Sequence, residues 1–172
     1  MLLPALAALA VFIGIASFTW DLAFINPVPD EAAFDTSLQY SPDEVQGKYD
    51  WYTEAQRNLY IRNAFTFDIA FPVLYVFVLL AACAFFIKRL NAGRLLALVY
   101  LVPFLAGLVD MAENSTISWI MAHGVSRTSA VLASVLTQVK WVLLYASIGI
   151  LGLLFLTYSF KLVFGKSARW KR

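Results

Sequence analysis

The hydrophobic pattern divides the chain into four long apolar stretches separated by shorter polar ones. The apolar stretches cover residues 2–25, 64–87, 95–121 and 130–160. At about 1.5 Å per helical residue, each is long enough to cross about 30 Å of hydrocarbon. The pattern predicts an all-α fold, a four-helix transmembrane bundle in which residues 1–172 form a single integral membrane domain.

The first polar stretch, residues 26–63, is predicted to be an outer loop that contains a helix. It holds seven acidic and three basic side chains, a balance of −4. Ser41-Pro42-Asp43-Glu44 has the pattern of a capping box, with Ser at the N-cap and Glu at N3. Apolar side chains then recur at near-helical spacing: Val45, Tyr49, Tyr52 and Leu59. We therefore predict an amphipathic helix that begins at Ser41 and lies at the membrane interface.

Composition supports a membrane protein, because 61% of the residues are hydrophobic and only 14% are charged. The turn at 88–94 contains three Lys or Arg, and the tail at 161–172 contains five, with no acidic residue in either. The positive-inside rule then places the tail and both termini in the cytoplasm. The first stretch has no basic start, and Trp20-Asp21 does not suit signal cleavage, so we expect an uncleaved helix.

Several classes of function have no support in the sequence. The single Cys can form no internal disulfide, and there is no Gly-rich phosphate loop or Cys/His metal spacing. We therefore expect no metal and no cofactor. The net charge of +2 combines segments of opposite sign and indicates no nucleic-acid partner.

The third stretch contains the main candidate site. Asp110, Glu113 and Asn114 stand at i, i+3 and i+4, which places them on one face of a helix. Ionisable side chains within a span are costly and normally face the bundle interior with a partner. Lys140 in the fourth stretch lies at the same depth as Asp110, about 15 Å from the outer ends of their helices. We therefore expect Asp110 and Lys140 to form an ion pair.

These four residues and further candidates are expected to line one polar cavity within the membrane that opens toward the outer face. Asp21 and Asp68 lie near the outer ends of the first two spans, and Thr137 shares a helix face with Lys140. Pro72 cannot donate to the carbonyl of Asp68, which should leave that oxygen free.

Structural alternatives stay open for each of these residues. Asp21 and Asp68 fit an interfacial position equally well, and the Asp110–Lys140 pair fits a role in locking helices together. One Lys neutralises one carboxylate, so Glu113 has to be protonated, hydrated or paired elsewhere. That second carboxyl is the argument for a site.

These residues resemble a known pattern. Phe67-Asp68-x-x-Phe71-Pro72-x-x-Tyr75, Asp110-x-x-Glu113-Asn114 and Lys140-Trp141 are similar to a group of uncharacterised bacterial four-helix membrane proteins. The resemblance implies a bacterial inner membrane and no established activity. A second, weaker resemblance is to the emopamil-binding and sigma-2-receptor (EXPERA) family. It rests on Asp21-Leu22 followed by Pro27 and on the acidic loop rich in aromatic residues. That family's members bind sterols and other amphiphiles. The later carboxyls do not align with that family, and a His of its isomerases is missing.

The leading hypothesis is a protein that binds, and in one version also transforms, a small amphiphile or membrane lipid. Asp110 and Glu113 would be the acid/base pair, Lys140 would keep one of them ionised, and Asn114 would orient the ligand. Asp21, Asp68, Tyr75 and Thr137 would be ligand contacts. The alternatives are a non-enzymatic membrane subunit whose Asp/Lys pair fixes packing, and a small proton- or cation-coupled transporter that functions as a homodimer or with a partner subunit.

Overall fold

The computed structural model describes residue 34 and the ranges 37–91 and 98–164. Its helices, in order, are α1 (Pro42–Trp51), α2 (Glu54–Ala64), α3 (Phe67–Leu90), α4 (Leu101–His123) and α5 (Arg127–Phe164). This part of the chain contains no strand, which confirms the all-helical prediction. The first apolar stretch, residues 2–25, lies outside the described residues, and Asp21 lies there with it.

The predicted capping box at the start of α1 is confirmed. The backbone N–H of Ser41 donates to Glu44 Oε2 at 2.6 Å, and the backbone N–H of Glu44 donates to Ser41 Oγ at 3.3 Å. Pro42 occupies the first helical position, where its missing N–H costs nothing.

The segment predicted to be an outer loop forms two short helices, where one helix was predicted. α1 ends at Trp51, and Thr53 then caps α2 through a second capping box with Gln56. The sequence signal, Thr-x-x-Gln, is the same motif as at Ser41 and was overlooked. A new N-cap interrupts the helix because the capping residue takes up extended backbone angles.

Most of the aromatic side chains of this segment pack against the bundle. Phe34, Tyr40, Tyr52 and Tyr60 are buried in one cluster with the ends of α4 and α5, including Ile117 and Ala130. Tyr52 and Tyr60 meet edge to face, with ring centroids 6.0 Å apart, a favourable aromatic geometry. These rings are therefore buried in the protein, and the position of α1 at the membrane interface stays a prediction. Of the aromatic side chains on α1, Trp51 is exposed.

The helices that carry the polar residues form an antiparallel hairpin. Gly124 ends α4 with a φ of +87°, a conformation that L side chains rarely adopt. α5 then begins at Arg127, earlier than the predicted 130, and runs without interruption to Phe164. Since α4 begins at Leu101 and not at 95, Pro103 falls in its first turn, where no intrahelical hydrogen bond is lost.

α3 completes the packed group and ends against α5. Asn91 ends α3 in the left-handed conformation, at a φ of 54°. Lys161 Nζ of α5 donates to the carbonyls of Arg89 and Leu90 at 3.2 and 3.3 Å. A cation at a helix C-terminus is stabilised by the helix dipole, so Lys161 ties the two helices together at this end.

Two stretches of the described chain are long and apolar enough to cross a membrane, Glu54–Leu90 and Arg127–Phe164. α4 is less apolar because Asp110, Glu113 and Asn114 lie on it, yet these residues are buried. Its exposed large side chains are apolar: Leu101, Phe104, Leu105, Leu108 and Trp119. The helix is thus polar toward the protein and apolar outward.

The capping box of α1 makes this helix sensitive to acid. Hydrogen bonds from the Ser41 backbone and side chain lower the pKa of Glu44 below its ordinary value. A lowered pKa adds stability above the unfolded-state pKa and loses it as pH falls through the folded-state pKa. We expect amide hydrogen exchange of α1, corrected for intrinsic rates, to speed up on acidification below about pH 4.5. Glu44→Gln keeps the box without the charge, and an unchanged pH response in this variant would contradict the assignment.

Candidate functional site

The polar face predicted for α4 is turned into the bundle. Asp110, Glu113 and Asn114 are 8%, 0% and 7% exposed, and Lys140 on α5 is 7% exposed. Buried ionised groups are stable only when paired and hydrogen-bonded, so their partners determine what this cluster can do.

Lys140 contacts both carboxylates but lies closer to Glu113. Its Nζ is 2.6 Å from Glu113 Oε2 and 3.8 Å from Asp110 Oδ1. The predicted Asp110–Lys140 ion pair is present, but the residue count from the helix ends did not predict the shorter contact with Glu113. The count compared backbone depths, whereas helical side chains lean toward the N-terminus of their own helix. The N-terminus of α5 is at the hairpin end, so the long Lys140 side chain reaches the level of Glu113.

The other oxygen of Glu113 is held from the opposite side. Thr137 Oγ1 donates to Glu113 Oε1 at 2.7 Å, and Tyr40 Oη lies 2.7 Å from the same Thr137 oxygen. The sequence analysis included Thr137 but missed Tyr40. A signal was present, because Tyr40 precedes the Ser41 cap and Val45 follows at N4, the two positions of a hydrophobic staple. Both are buried in the aromatic cluster.

Asp110 receives hydrogen bonds from two neutral donors. Tyr75 Oη of α3 donates to Asp110 Oδ2 at 3.0 Å, and Asn114 Nδ2 is 3.5 Å from Asp110 Oδ1. Tyr75 was a candidate through the family resemblance alone, and the structure brings it to the cluster. The two carboxylates therefore sit in different surroundings, one against a cation and one mainly among neutral groups.

The carbonyl that Pro72 leaves free has a specific partner. Asn114 Nδ2 donates to the backbone oxygen of Asp68 at 3.3 Å. Pro72 cannot supply the intrahelical N–H, and the amide of a neighbouring helix takes that place. Asn114 thus joins α3, one turn before Pro72, to the polar face of α4, and the backbone of Asp68 belongs to the site.

A cavity of about 300 Å³ opens beside this cluster, between α3, α4 and α5. Its polar lining consists of Asp68, Tyr75, Asp110, Asn114 and Lys140, and its apolar lining of Phe71, Pro72, Trp141 and Leu144. Glu113 and Thr137 are not among the lining residues and lie behind Lys140. Among the described residues, the Nε1–H of Trp141 is buried and has no hydrogen-bond acceptor.

Close packing of α3 and α4 holds this cavity wall in place. A Cβ added to Gly107 would lie 2.5 Å from Val76 Cγ2, closer than side chains approach one another. Only glycine lets the two helices approach this closely one turn from Asp110. The site is thus anchored on regular helices and not on loops.

Other chemically distinctive residues lie away from the site. His123 stacks on Trp119 with ring centroids 3.8 Å apart, and Cys83 is buried within α3. In the described part of the chain, no group of three His, Cys, Asp or Glu side chains could hold a metal ion.

The chain was compared with family models, curated proteins and solved structures, and none of the three matches it. The two family resemblances stated from the sequence therefore stay predictions, and the function has to be argued from geometry.

Proposed function

We propose that this chain is a multi-pass membrane protein that binds a small amphiphile or lipid in the cavity between α3, α4 and α5. The observation that carries the proposal is a cavity of about 300 Å³ with apolar walls and a charged cluster at one side. Pockets for small ligands have this volume and this combination of apolar walls with a few placed polar groups.

The membrane setting is supported by the outward surface of the helices. Large apolar side chains cover the exposed faces of α5, among them Val142, Leu153 and Phe160. Continuous apolar surfaces of this extent need lipid or protein to cover them.

The orientation follows from charge: the outer segment faces the exterior and both termini face the cytoplasm. Cysteines introduced at Asp43 and Lys161 should react with impermeant reagents from opposite sides of the membrane. Reaction from one side would contradict this topology.

The lining residues suggest how a ligand is held. Phe71 and Leu144 offer apolar contact, and Trp141 lines the same cavity. Of the two carboxylates that line the cavity, Asp68 and Asp110, Asp110 is the buried one that belongs to the charged cluster, and it is the group that would touch a headgroup.

Glu113 takes a different role from the one its sequence position suggested. It is fully buried behind Lys140, so we propose that it holds and neutralises the ammonium group while Asp110 faces the ligand. If the bound molecule is also transformed, Asp110 is the carboxyl placed to exchange a proton with it.

The second candidate is a non-enzymatic membrane subunit whose polar cluster only fixes helix packing. The observation that favours it is the hydrogen bonding of the cluster, since both carboxylates have side-chain donors within 3.0 Å. A small coupled transporter, formed as a homodimer or with a partner subunit, is a third candidate.

A thermal-shift screen distinguishes these candidates. The purified protein in detergent is heated with a panel of lipids, sterols and other amphiphiles. At 100 times its Kd, a ligand that binds only the folded state adds about 2.7 kcal/mol of stability. We expect at least one panel member to raise Tm, and Asp110→Asn to keep the basal Tm while losing most of that rise. Equal rises in the two proteins would contradict the role of Asp110.

A further inference from the structure

A series of hydrogen-bonded side chains leads from Tyr40 to the buried carboxylate Glu113. Tyr40 lines a second cleft, of about 310 Å³, next to α1. The cleft is open to solvent, since Gln39, Glu44 and Trp51 in its wall are exposed. From Tyr40 Oη, successive contacts of 2.7 Å lead through Thr137 Oγ1 to Glu113 Oε1.

The series of polar contacts continues from Glu113 to the cavity between α3, α4 and α5. Glu113 Oε2 is 2.6 Å from Lys140 Nζ, which is 3.8 Å from Asp110 Oδ1. Lys140 and Asp110 both line that cavity. Thr137 and Glu113 are 0% exposed, so Glu113 has no direct contact with solvent.

We propose that Tyr40 and Thr137 carry protons from the surface cleft to Glu113, so that the cleft sets the charge of the ion cluster. A hydronium ion in the cleft gives one proton to Tyr40 Oη. Tyr40 passes its own hydroxyl proton to Thr137 Oγ1, and Thr137 passes its own to Glu113 Oε1. The hydronium ion becomes water, Glu113 becomes a neutral acid, and rotation of the two hydroxyls restores the starting arrangement.

Protonation of Glu113 redirects the charge of Lys140. The ionised cluster of Asp110, Glu113 and Lys140 has a formal charge of −1, and it becomes neutral when Glu113 takes up a proton. Among the described residues, Asp110 at the cavity wall is then the carboxylate that remains to pair with Lys140. This makes the cavity more favourable to a ligand with an anionic group. The change in ligand preference rests on the proposed function, whereas the proton path does not.

In the described part of the chain, the titratable groups around this path can be named, and Glu44 and Lys48 of α1 line the cleft with Tyr40. Among the described residues, Lys140 on α5 and Asp110 on α4 are the charged neighbours, and Tyr75 on α3 lies beyond Asp110. Asp68 of α3 lines the cavity, and α2 contributes Tyr60 to the aromatic cluster that α4 shares. Asp110 is the other carboxyl whose protonation could be observed. A substitution of Glu113 distinguishes protonation of Glu113 from protonation of Asp110.

The test is time-resolved infrared spectroscopy of the full chain in detergent after a drop in pH. We expect a carboxylic-acid band that appears in wild type and is absent in Glu113→Gln. Tyr40→Phe and Thr137→Val should retain the band but slow its appearance at least about tenfold, because a positioned donor has been removed from the path. Thr137→Ser keeps the hydroxyl and should keep the rate.

Tyr52→Phe is the matched control, since it removes a hydroxyl from the same aromatic cluster outside the path. The proposal is overturned if no Glu113-dependent band appears between about pH 4 and 9. It is equally overturned if Tyr40→Phe and Thr137→Val protonate as fast as Tyr52→Phe. No ligand enters this measurement, so its failure would leave the proposed binding function standing, and failure of the ligand screen would leave the proton path standing.

Discussion

Replacing Lys140 by Met should destabilise the protein by about 3–5 kcal/mol, the usual cost of leaving a buried charge without its counter-ion. The structure identifies the carboxylate that loses its counter-ion in this variant. Glu113 is fully buried and lies 2.6 Å from Lys140 Nζ, whereas Asp110 lies 3.8 Å away and also accepts from Tyr75. The loss can be measured from the unfolding of the purified protein in detergent with increasing SDS.

A second substitution shows whether Glu113 is the partner of Lys140. Glu113→Gln in the Lys140→Met background should restore stability to within about 1 kcal/mol of wild type, because the amide still accepts from Thr137 and carries no charge. Asp110→Asn in the same background leaves the Glu113 carboxylate buried and should restore little. The reverse pattern, with rescue by Asp110→Asn alone, would show that the ion pair inferred from residue counts is the energetically important one.

Features of the site that depend on the residues of a single helix could be predicted from the sequence. The spacing of Asp110, Glu113 and Asn114 defined a face whatever the neighbouring helices were, and that face is buried. Pro72 removes a donor for a covalent reason, so a free Asp68 carbonyl could be expected, although its partner Asn114 could not. The capping box at Ser41 likewise depends on residues close in sequence.

Features that depend on packing between segments were not accessible in the same way. The contact between Tyr40 and Thr137 joins residues 97 positions apart, and no spacing rule relates them. The partner of Lys140 depends on the direction in which a long side chain leans as well as on backbone depth. The division of the candidates into cavity-lining Asp110 and buried Glu113 requires the positions of all three helices.

Filling the cavity should abolish ligand binding without unfolding the protein. Leu144 lines the cavity, and Leu144→Trp places a larger ring where the ligand would lie. Overpacking costs about 1–3 kcal/mol in a tight core, but here the ring has open space to enter. The matched control is Leu153→Trp on the same helix, because Leu153 is 67% exposed and lies outside the cavity. Both variants add the same side chain to α5, so a difference between them reports on the cavity.

The most direct test of cavity binding is the ligand-induced Tm shift of wild type, Leu144→Trp and Leu153→Trp, measured side by side with the panel member that stabilises wild type most. Binding in the cavity between α3, α4 and α5 predicts that Leu153→Trp keeps the wild-type shift and that Leu144→Trp loses it. An equal shift in all three proteins, or no shift in wild type with any panel member, would contradict ligand binding at this cavity.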